Sequence, residues 1–200
     1  MFWKKAIAPE KARLPDPDTL LDASLGDVVR SLIEVRAKLA HVLRDTPDEV
    51  KQYLAGVMTS MAEMEHGAVR LVKRADDLTR YLATADAAPI RREIDKLAEK
   101  ARGARDEGTR KQYESARAMR EEQLRALEDI TAARERVMAN LTRLVATFEA
   151  FPAKIVRMRA LDAQVMEALS GSMTDELDLI SGDMKAFDET LASLGESIKT

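Results

Sequence analysis

The sequence predicts an all-α protein: a long antiparallel coiled-coil hairpin that thickens into a three- or four-helix bundle at its open end. Apolar residues recur at alternating steps of three and four, which is the spacing of a coiled-coil seam. Charged residues make up 34% of the chain and aromatic residues 4%, a balance that favours narrow helical seams over a thick globular core. The short segment 103–108 separates two long helical patterns, and a short connection makes neighbouring helices antiparallel.

An N-terminal arm and a first helix are predicted before residue 45. Residues 1–16 are expected to be extended or amphipathic, since Pro9, Pro15 and Pro17 interrupt regular structure there. The first helix is expected from Pro17 to Arg44. Its predicted seam is Leu21, Leu25, Val28, Leu32, Val35, Leu39 and Val42.

The second helix is predicted from Pro47 to Thr84. Thr46 suits the N-cap, Pro47 suits the first helical position, and Glu49 completes a capping box. Its predicted seam is Val50, Leu54, Val57, Met61, Met64, Ala68, Leu71, Ala75, Leu78 and Leu82.

A third helix and a tight turn are predicted next. Asp86 can cap the helix close to Pro89, and Asp106 can cap the helix that follows the turn from Gly103 to Gly108. The predicted seam of the third helix is Ile90, Ile94, Leu97 and Ala101.

The fourth helix is predicted from Glu107 to Leu169, with a kink at Pro152, where a backbone donor is missing. Arg134 and Asp162 fall on seam positions and are expected to weaken the pairing or set its register. An alternative layout folds the chain at Pro152 into a shorter bundle. The predicted seam is Leu127, Ile130, Val137, Leu141, Leu144, Phe148, Phe151, Ile155, Met158, Val165 and Leu169.

The segment Ser170-Gly171-Ser172 is predicted to end that helix. Residues 17–170 then form the hairpin and bundle, and residues 171–200 form an acidic C-terminal helix. The predicted seam of this last helix is Leu177, Ile180, Met184, Phe187, Leu191, Leu194 and Ile198.

Few residues point to catalysis. The chain has no cysteine and two histidines, which leaves little for a nucleophilic triad and excludes thiolate metal sites. Glu63 and His66 share a helix face at the spacing of half a di-iron site, but His41 lacks a matching glutamate. The sequence therefore predicts no enzyme, no cofactor and no metal, and it favours an exposed helix face at Glu63 and His66.

The N-terminal arm is the most suggestive local feature. It combines the one tryptophan with neighbouring apolar residues and two lysines, a composition that suits the membrane–water interface. The alternative is that the arm docks on the bundle. The residues predicted to contact an anionic membrane are Phe2, Trp3, Lys4, Lys5 and Ile7.

Charge is unevenly distributed along the chain. Residues 90–160 carry 17 Lys and Arg against 12 Asp and Glu, whereas residues 161–200 carry 2 against 9. The basic stretch from Arg91 to Arg120 is diluted by acidic residues, and only Tyr113 interleaves as a stacking aromatic. The sequence argues against nucleic acid as a partner and favours solvated helix faces.

No apolar run approaches the ~20 residues of a membrane span. A cytoplasmic location is expected, with a peripheral position at the inner membrane face as its extension, and the abundant Ala and Arg are typical of a GC-rich bacterial genome.

The layout resembles the phage-shock protein A group, the bacterial relatives of ESCRT-III. The resemblance is carried by Phe2-Trp3-Lys4-Lys5, by the charged turn from Lys100 to Glu107, and by the Ala- and Arg-rich helix that follows. It implies a membrane-touching N-terminus, a helical hairpin, polymerisation on membranes and no catalytic site. A separate helix before Pro47 and the interruption at Pro152 depart from that pattern.

The sequence thus predicts a non-enzymatic coiled-coil assembly protein that associates with itself and with membranes, as a scaffold or as a remodelling or envelope-maintenance factor. The alternative is a soluble adapter or regulatory subunit that binds another protein through a helical face. The seam residues expected to set assembly are Leu54, Val57, Met61, Met64, Leu71, Leu141, Leu144, Phe148, Phe151 and Ile155.

Overall fold

The computed structural model describes residues 13–197, with side chains through residue 189. The predicted all-α class is confirmed, since the chain forms helices and no strand within that range. The predicted arm residues Phe2 to Ile7 and the seam side chains Leu191, Leu194 and Ile198 lie outside this description. After a 3₁₀ turn at Pro17–Thr19, the helices are α1 (Ala23–Arg44), α2 (Asp48–Lys51), α3 (Ala55–Thr84), α4 (Ala87–Gly103), α5 (Glu107–Met158) and α6 (Ala163–Ser197).

The chain divides into two compact units. Of the described residues, the first unit comprises those up to Asp76 and those from Val137 onward, and the second comprises Asp77–Arg136. The division falls within α3 and within α5, so each of these helices contributes residues to both units.

In the first unit, side-chain contacts fix the direction of α1 relative to α3. Arg36 Nε lies 3.5 Å from Glu65 Oε1, and the Leu21 amide donates to Asp76 Oδ1 over 3.2 Å. Residue numbers rise along one helix as they fall along the other, so α1 and α3 are antiparallel.

Helix α6 packs on both α3 and α5 in the same unit. The Ser60 hydroxyl donates to Asp178 over 3.3 Å, and Arg74 lies 3.0 Å from Asp188, so α3 and α6 run in the same direction. Lys154 Nζ lies 2.6 Å from Glu176, which with the 2.7 Å pair of Arg143 and Asp183 makes α5 and α6 antiparallel.

The first unit has a continuous apolar core. Its fully buried side chains come from α1, α3, α5 and α6, together with the turn that precedes α3. Burying one large aliphatic or aromatic side chain stabilises the fold by ~1.5–3 kcal/mol, relative to leaving that side chain exposed. The largest of them are Leu25, Leu54, Met64, Leu71, Leu141, Leu144, Phe151, Ile155, Met158, Met173, Leu177 and Ile180.

The second unit is an antiparallel pair made by α4, with the end of α3, against the start of α5. Arg134 Nε donates to Thr79 Oγ1 over 2.9 Å, and Arg120 Nε lies 3.0 Å from Glu93. Nearer the turn, Lys100 Nζ lies 5.8 Å from the centre of the Tyr113 ring. Arg134, predicted to weaken the seam, is half-buried there and engaged with Thr79.

The predicted caps of the second unit are confirmed. Asp86 accepts a hydrogen bond from the Ala88 amide over 2.8 Å, and Asp106 accepts from the Thr109 amide over 2.8 Å. These bonds satisfy amides that the first turn of a helix leaves without partners.

The predicted start of the first helix is wrong. Residues 17–19 form a 3₁₀ turn, and α1 begins at Ala23 with Asp22 as its cap. The turn lies against α1 so closely that a Cβ at Gly26 would come within 3.0 Å of the Pro17 carbonyl oxygen. Leu21, predicted on the seam, precedes the helix and is 53% exposed.

The predicted continuous second helix is also wrong, since turn residues 52–54 separate α2 from α3. The Tyr53 carbonyl accepts a hydrogen bond from the Ser170 hydroxyl of α6. Thr46 does not act as the predicted cap: its hydroxyl donates to the Val42 carbonyl over 2.7 Å, and α2 has Pro47 at its cap position with no side-chain cap bond.

The chain reverses direction at residues 159–162, not at Pro152 or at Ser170. Helix α5 continues through Pro152 to Met158, which rules out the alternative layout that folds the chain at Pro152. Asp162, predicted on a seam, instead caps α6 by accepting from the Val165 amide over 3.0 Å. The Arg159 guanidinium stabilises this turn by donating a hydrogen bond to the Val42 carbonyl of α1 over 2.9 Å.

The predicted helix break at Ser170-Gly171-Ser172 is also wrong, because the chain has already reversed at residues 159–162. These residues lie inside α6, which runs unbroken from Ala163 to Ser197. Val165, predicted to continue the seam of the preceding helix, is 43% exposed because a new helix begins two residues before it.

Candidate functional site

The ten residues predicted to set assembly are all buried in the first unit, each at most 5% exposed. They come from α5 and from α3 with its preceding turn. Their side chains pack within this one chain, and their expected role between chains stays a prediction. They are Leu54, Val57, Met61, Met64, Leu71, Leu141, Leu144, Phe148, Phe151 and Ile155.

The predicted half-site at Glu63 and His66 lies on α3. His66 Nδ1 lies 2.8 Å from the Ala62 carbonyl oxygen, so this nitrogen carries a proton and donates to the backbone. Glu63 is exposed and lines a shallow cleft with Arg70 and Asp188. Among the described residues, no group of three or more His, Cys, Asp or Glu side chains is placed to hold a metal ion.

An ion pair lies in an apolar cleft between α1, α3 and α5. Glu65 is half-buried beside Arg36, and the cleft is closed by Leu14, Leu32 and Phe148. Burial raises the pKa of the Glu65 carboxyl above its ordinary value, while the positive charges of Arg36 and His66 offset part of that rise. Among the described residues that line the cleft, Glu65 and Arg36 are the two charged side chains.

A second charged cluster joins α3 to α6. Arg74 Nη1 donates to the backbone carbonyl of Asp188 over 2.9 Å and lies 3.0 Å from Oδ1 of the same residue. Arg70 approaches the other carboxylate oxygen at 3.6 Å. Since the Arg74 hydrogen is directed at the backbone, Asp188 Oδ1 has an ionic contact without a directed hydrogen bond. These contacts hold two helices together.

The basic stretch from Arg91 to Arg120 lies in the second unit, where many of its cations meet acidic side chains. Arg91 pairs with Glu128 at 3.2 Å, and Arg117 pairs with Glu121 at 2.8 Å. The unit as a whole carries 14 Lys and Arg against 13 Asp and Glu. The cations of this unit are nearly matched in number by acids, and the expectation that nucleic acid is not a partner stays a prediction.

The seam of the second unit is incompletely covered. Between Ile90 and Leu127, Ala101 is the one apolar side chain below a tenth exposed. The other large apolar side chains at seam positions of this stretch are half-buried. They are Ile94, Leu97, Tyr113 and Leu124.

A further uncharged stripe runs along α5, and sequence reasoning missed it. Its members follow the same steps of four and three, and Met119 among them is 66% exposed. The signal was present in the spacing, but two glutamines and two alanines gave it low apolar weight. The stripe consists of Gln112, Ala116, Met119, Gln123 and Ala126.

Comparison with known proteins adds no relative. No protein-family model, no curated protein and no solved structure matched the chain. Of the helices in the described range, none combines the length and the apolar character needed to cross a membrane.

Proposed function

We propose that this protein is a non-enzymatic coiled-coil assembly protein that associates with itself through its helical surfaces and serves as a scaffold. The proposal is carried by the contrast between the two units. The first unit buries its seams almost completely, whereas the second leaves a coiled-coil seam half-exposed over some 30 residues of α4 and α5.

A two-helix pair covers its seam less completely than a bundle of three or four helices does. Each helix of such a pair shields only one side of the apolar stripe, and small assemblies bury too little surface to be stable alone. Helical hairpins reach a closed core when further helices complete a bundle. The half-buried side chains Ile94, Leu97 and Leu124 are consistent with a hairpin that is completed by another chain.

The membrane part of the proposal rests on the sequence of the arm. Phe2 and Trp3 would enter the interface, and Lys4 and Lys5 would face anionic headgroups. A segment this short binds weakly as one copy, so assembly of many copies would supply the avidity. Self-association and membrane contact therefore support each other.

The mass of the full chain in solution tests the assembly. The monomer mass is 22.3 kDa, and sedimentation velocity over a concentration series is expected to show larger species that grow with concentration. Electron micrographs of the same samples distinguish rods or rings from small oligomers. A monomer at every concentration would refute the proposed function.

Co-sedimentation with liposomes tests the membrane contact. The full chain is expected to pellet with vesicles of anionic lipid, and a variant lacking residues 1–14 is expected to stay in the supernatant. The arm has no lipid role if both proteins pellet equally or neither pellets. A discrete oligomer that ignores lipid and retains a specific protein in pull-downs would instead support the adapter alternative.

A further inference from the structure

We propose that the uncharged stripe of α5 is a self-association surface, and that its occupant is the same stripe of a second copy of this chain, running antiparallel. This inference rests on the proposed self-association and assigns it to one helix face. The stripe comprises Gln112, Ala116, Met119, Gln123 and Ala126, all within the second unit.

Exposure marks this face as incompletely covered by its own chain. Met119 is the most exposed large apolar side chain in the described range, at 66%. Gln112 and Gln123 are exposed, and Ala116 and Ala126 are half-buried. Five positions at alternating steps of four and three, none of them charged, form a seam on which a helix of complementary shape can lie.

Shape complementarity selects one register. Two copies of α5 can lie antiparallel with Ala116 of one copy opposite Met119 of the other. Each short alanine side chain then packs against a long methionine side chain. The same register places Gln112 opposite Gln123 of the second copy, where the two amides can hydrogen-bond to each other. Both pairings occur twice, as a two-fold symmetric contact requires.

Charge complementarity supports the same register. Lys111 and Glu122 flank the stripe on the same side, and the antiparallel arrangement brings Lys111 of each copy near Glu122 of the other. Lys111 is available for this contact because its side chain is 72% exposed and its one intrachain acid, Glu107, lies 3.8 Å away. Glu122 is exposed as well.

Overall charge favours a second copy over other occupants. The second unit is nearly neutral, with 14 basic and 13 acidic residues, so two copies do not repel each other strongly. An anionic membrane or a nucleic acid would require a surplus of cations on this face. Because the stripe is short and includes two glutamines, we expect a reversible dimer contact rather than an obligate one.

The first test replaces the central side chain. Met119→Asp is expected to weaken association at least about tenfold, since it places two like charges at the middle of the symmetric contact. Leu179→Asp is the matched control, because Leu179 is 61% exposed on α6. Both positions are exposed, so both variants are expected to fold, which circular dichroism checks before sedimentation.

The second test is a charge exchange. Lys111→Glu and Glu122→Lys are each expected to weaken association about three- to tenfold, and the double variant is expected to restore it. Restoration depends on the pair meeting across two chains, so it separates this contact from a general effect of surface charge. Two weakened single variants without restoration would overturn the proposed register.

Cysteine cross-linking tests the direction, since the chain has no cysteine of its own. A mixture of the Ala116→Cys and Met119→Cys variants is expected to form a disulfide-linked pair faster than either variant alone. Faster linkage of Met119→Cys with itself would contradict the pairing of Ala116 with Met119 and overturn the proposal.

The outcomes also separate this inference from the proposed function. A wild-type oligomer that is unaffected by Met119→Asp and by both charge variants would refute the α5 surface while leaving self-association in place. A wild-type monomer at every concentration would refute both.

Discussion

Glu65 shows how a single side chain couples the packing of the first unit to pH. It faces an apolar cleft and is 28% exposed, with Arg36 as its nearest cation at 3.5 Å. Burial raises the pKa of this carboxyl, and the attraction of Arg36 and His66 does not fully reverse the rise. The folded protein therefore binds the Glu65 proton more tightly than the unfolded chain does.

We predict that Glu65→Gln stabilises the protein relative to wild type, and that the gain increases as pH rises. The contribution of protonated Glu65 to stability is complete below the pKa of the unfolded chain and is lost as pH rises through the raised folded pKa. Glutamine does not titrate, so the free energy of unfolding of the Glu65→Gln variant does not fall in this way as pH rises. Urea unfolding of both proteins at several pH values measures the difference. A gain that shrinks toward neutral pH would show that the Arg36 pair outweighs desolvation.

Ser170 is a second side chain with a defined structural task. It is 9% exposed, and its hydroxyl donates to the Tyr53 carbonyl in the turn between α2 and α3. The Tyr53 carbonyl lies in the turn that precedes α3, so it is not part of that helix. A half-buried carbonyl without a donor is costly.

Ser170→Ala is predicted to lower the free energy of unfolding by about 1–2 kcal/mol, the cost of a buried acceptor that loses its donor. Ser172→Ala is the control, because Ser172 is exposed two residues further along the same helix. Thermal or denaturant unfolding compares the two variants. Equal stability of both would mean that the hydroxyl bond contributes nothing.

Local sequence rules anticipated some of these residue roles and missed others. Asp86 and Asp106 were identified as caps because a cap is read from a few neighbouring residues. Ser170 was interpreted as part of a helix break, since its actual partner is 117 positions away along the chain. Long-range hydrogen bonds of this kind leave no periodic signal in a sequence.

At the level of elements, α6 decides where the chain reverses. The heptad pattern continues on both sides of residues 159–162, so periodicity alone extended the preceding helix to Leu169. The reversal is fixed by the Asp162 cap and by Arg159, whose guanidinium reaches the Val42 carbonyl and the Thr46 hydroxyl. Glycine at position 171 then suggested a break, although a helix interior tolerates a glycine at modest cost.

Gly171→Ala is predicted to raise the free energy of unfolding by about 0.5–1 kcal/mol, because alanine has the higher helix propensity. The added methyl group would meet no heavy atom within 4 Å. Gly103→Ala is a useful comparison, since Gly103 also has open space around it but ends α4, where the propensity gain is smaller. A loss of stability in Gly171→Ala would indicate that α6 is interrupted at this point.

At the level of the whole molecule, the heptad pattern predicts the all-α class, but it does not predict how completely each seam is covered. The same apolar spacing runs through α3 and α5 in both units, yet most of its side chains are buried in the first unit, whereas those of the second unit between Ile90 and Leu127 are mostly half-buried. A seam reports that a helix has an apolar neighbour. It does not report how many neighbours there are, and that number decides how completely the seam is covered.

The difference in coverage predicts a difference in local stability. Amides of residues 91–126, in the second unit, are expected to exchange with solvent faster than those of residues 141–155, because fewer buried side chains hold their helices. If a second copy covers α5, raising the protein concentration should slow exchange around Met119 while leaving residues 141–155 unchanged. Hydrogen exchange read by mass spectrometry at two concentrations measures both effects, with Met119→Asp as the variant expected to lose the concentration dependence. Uniform protection across the two segments would contradict the idea that the second unit is the less stable part of the chain.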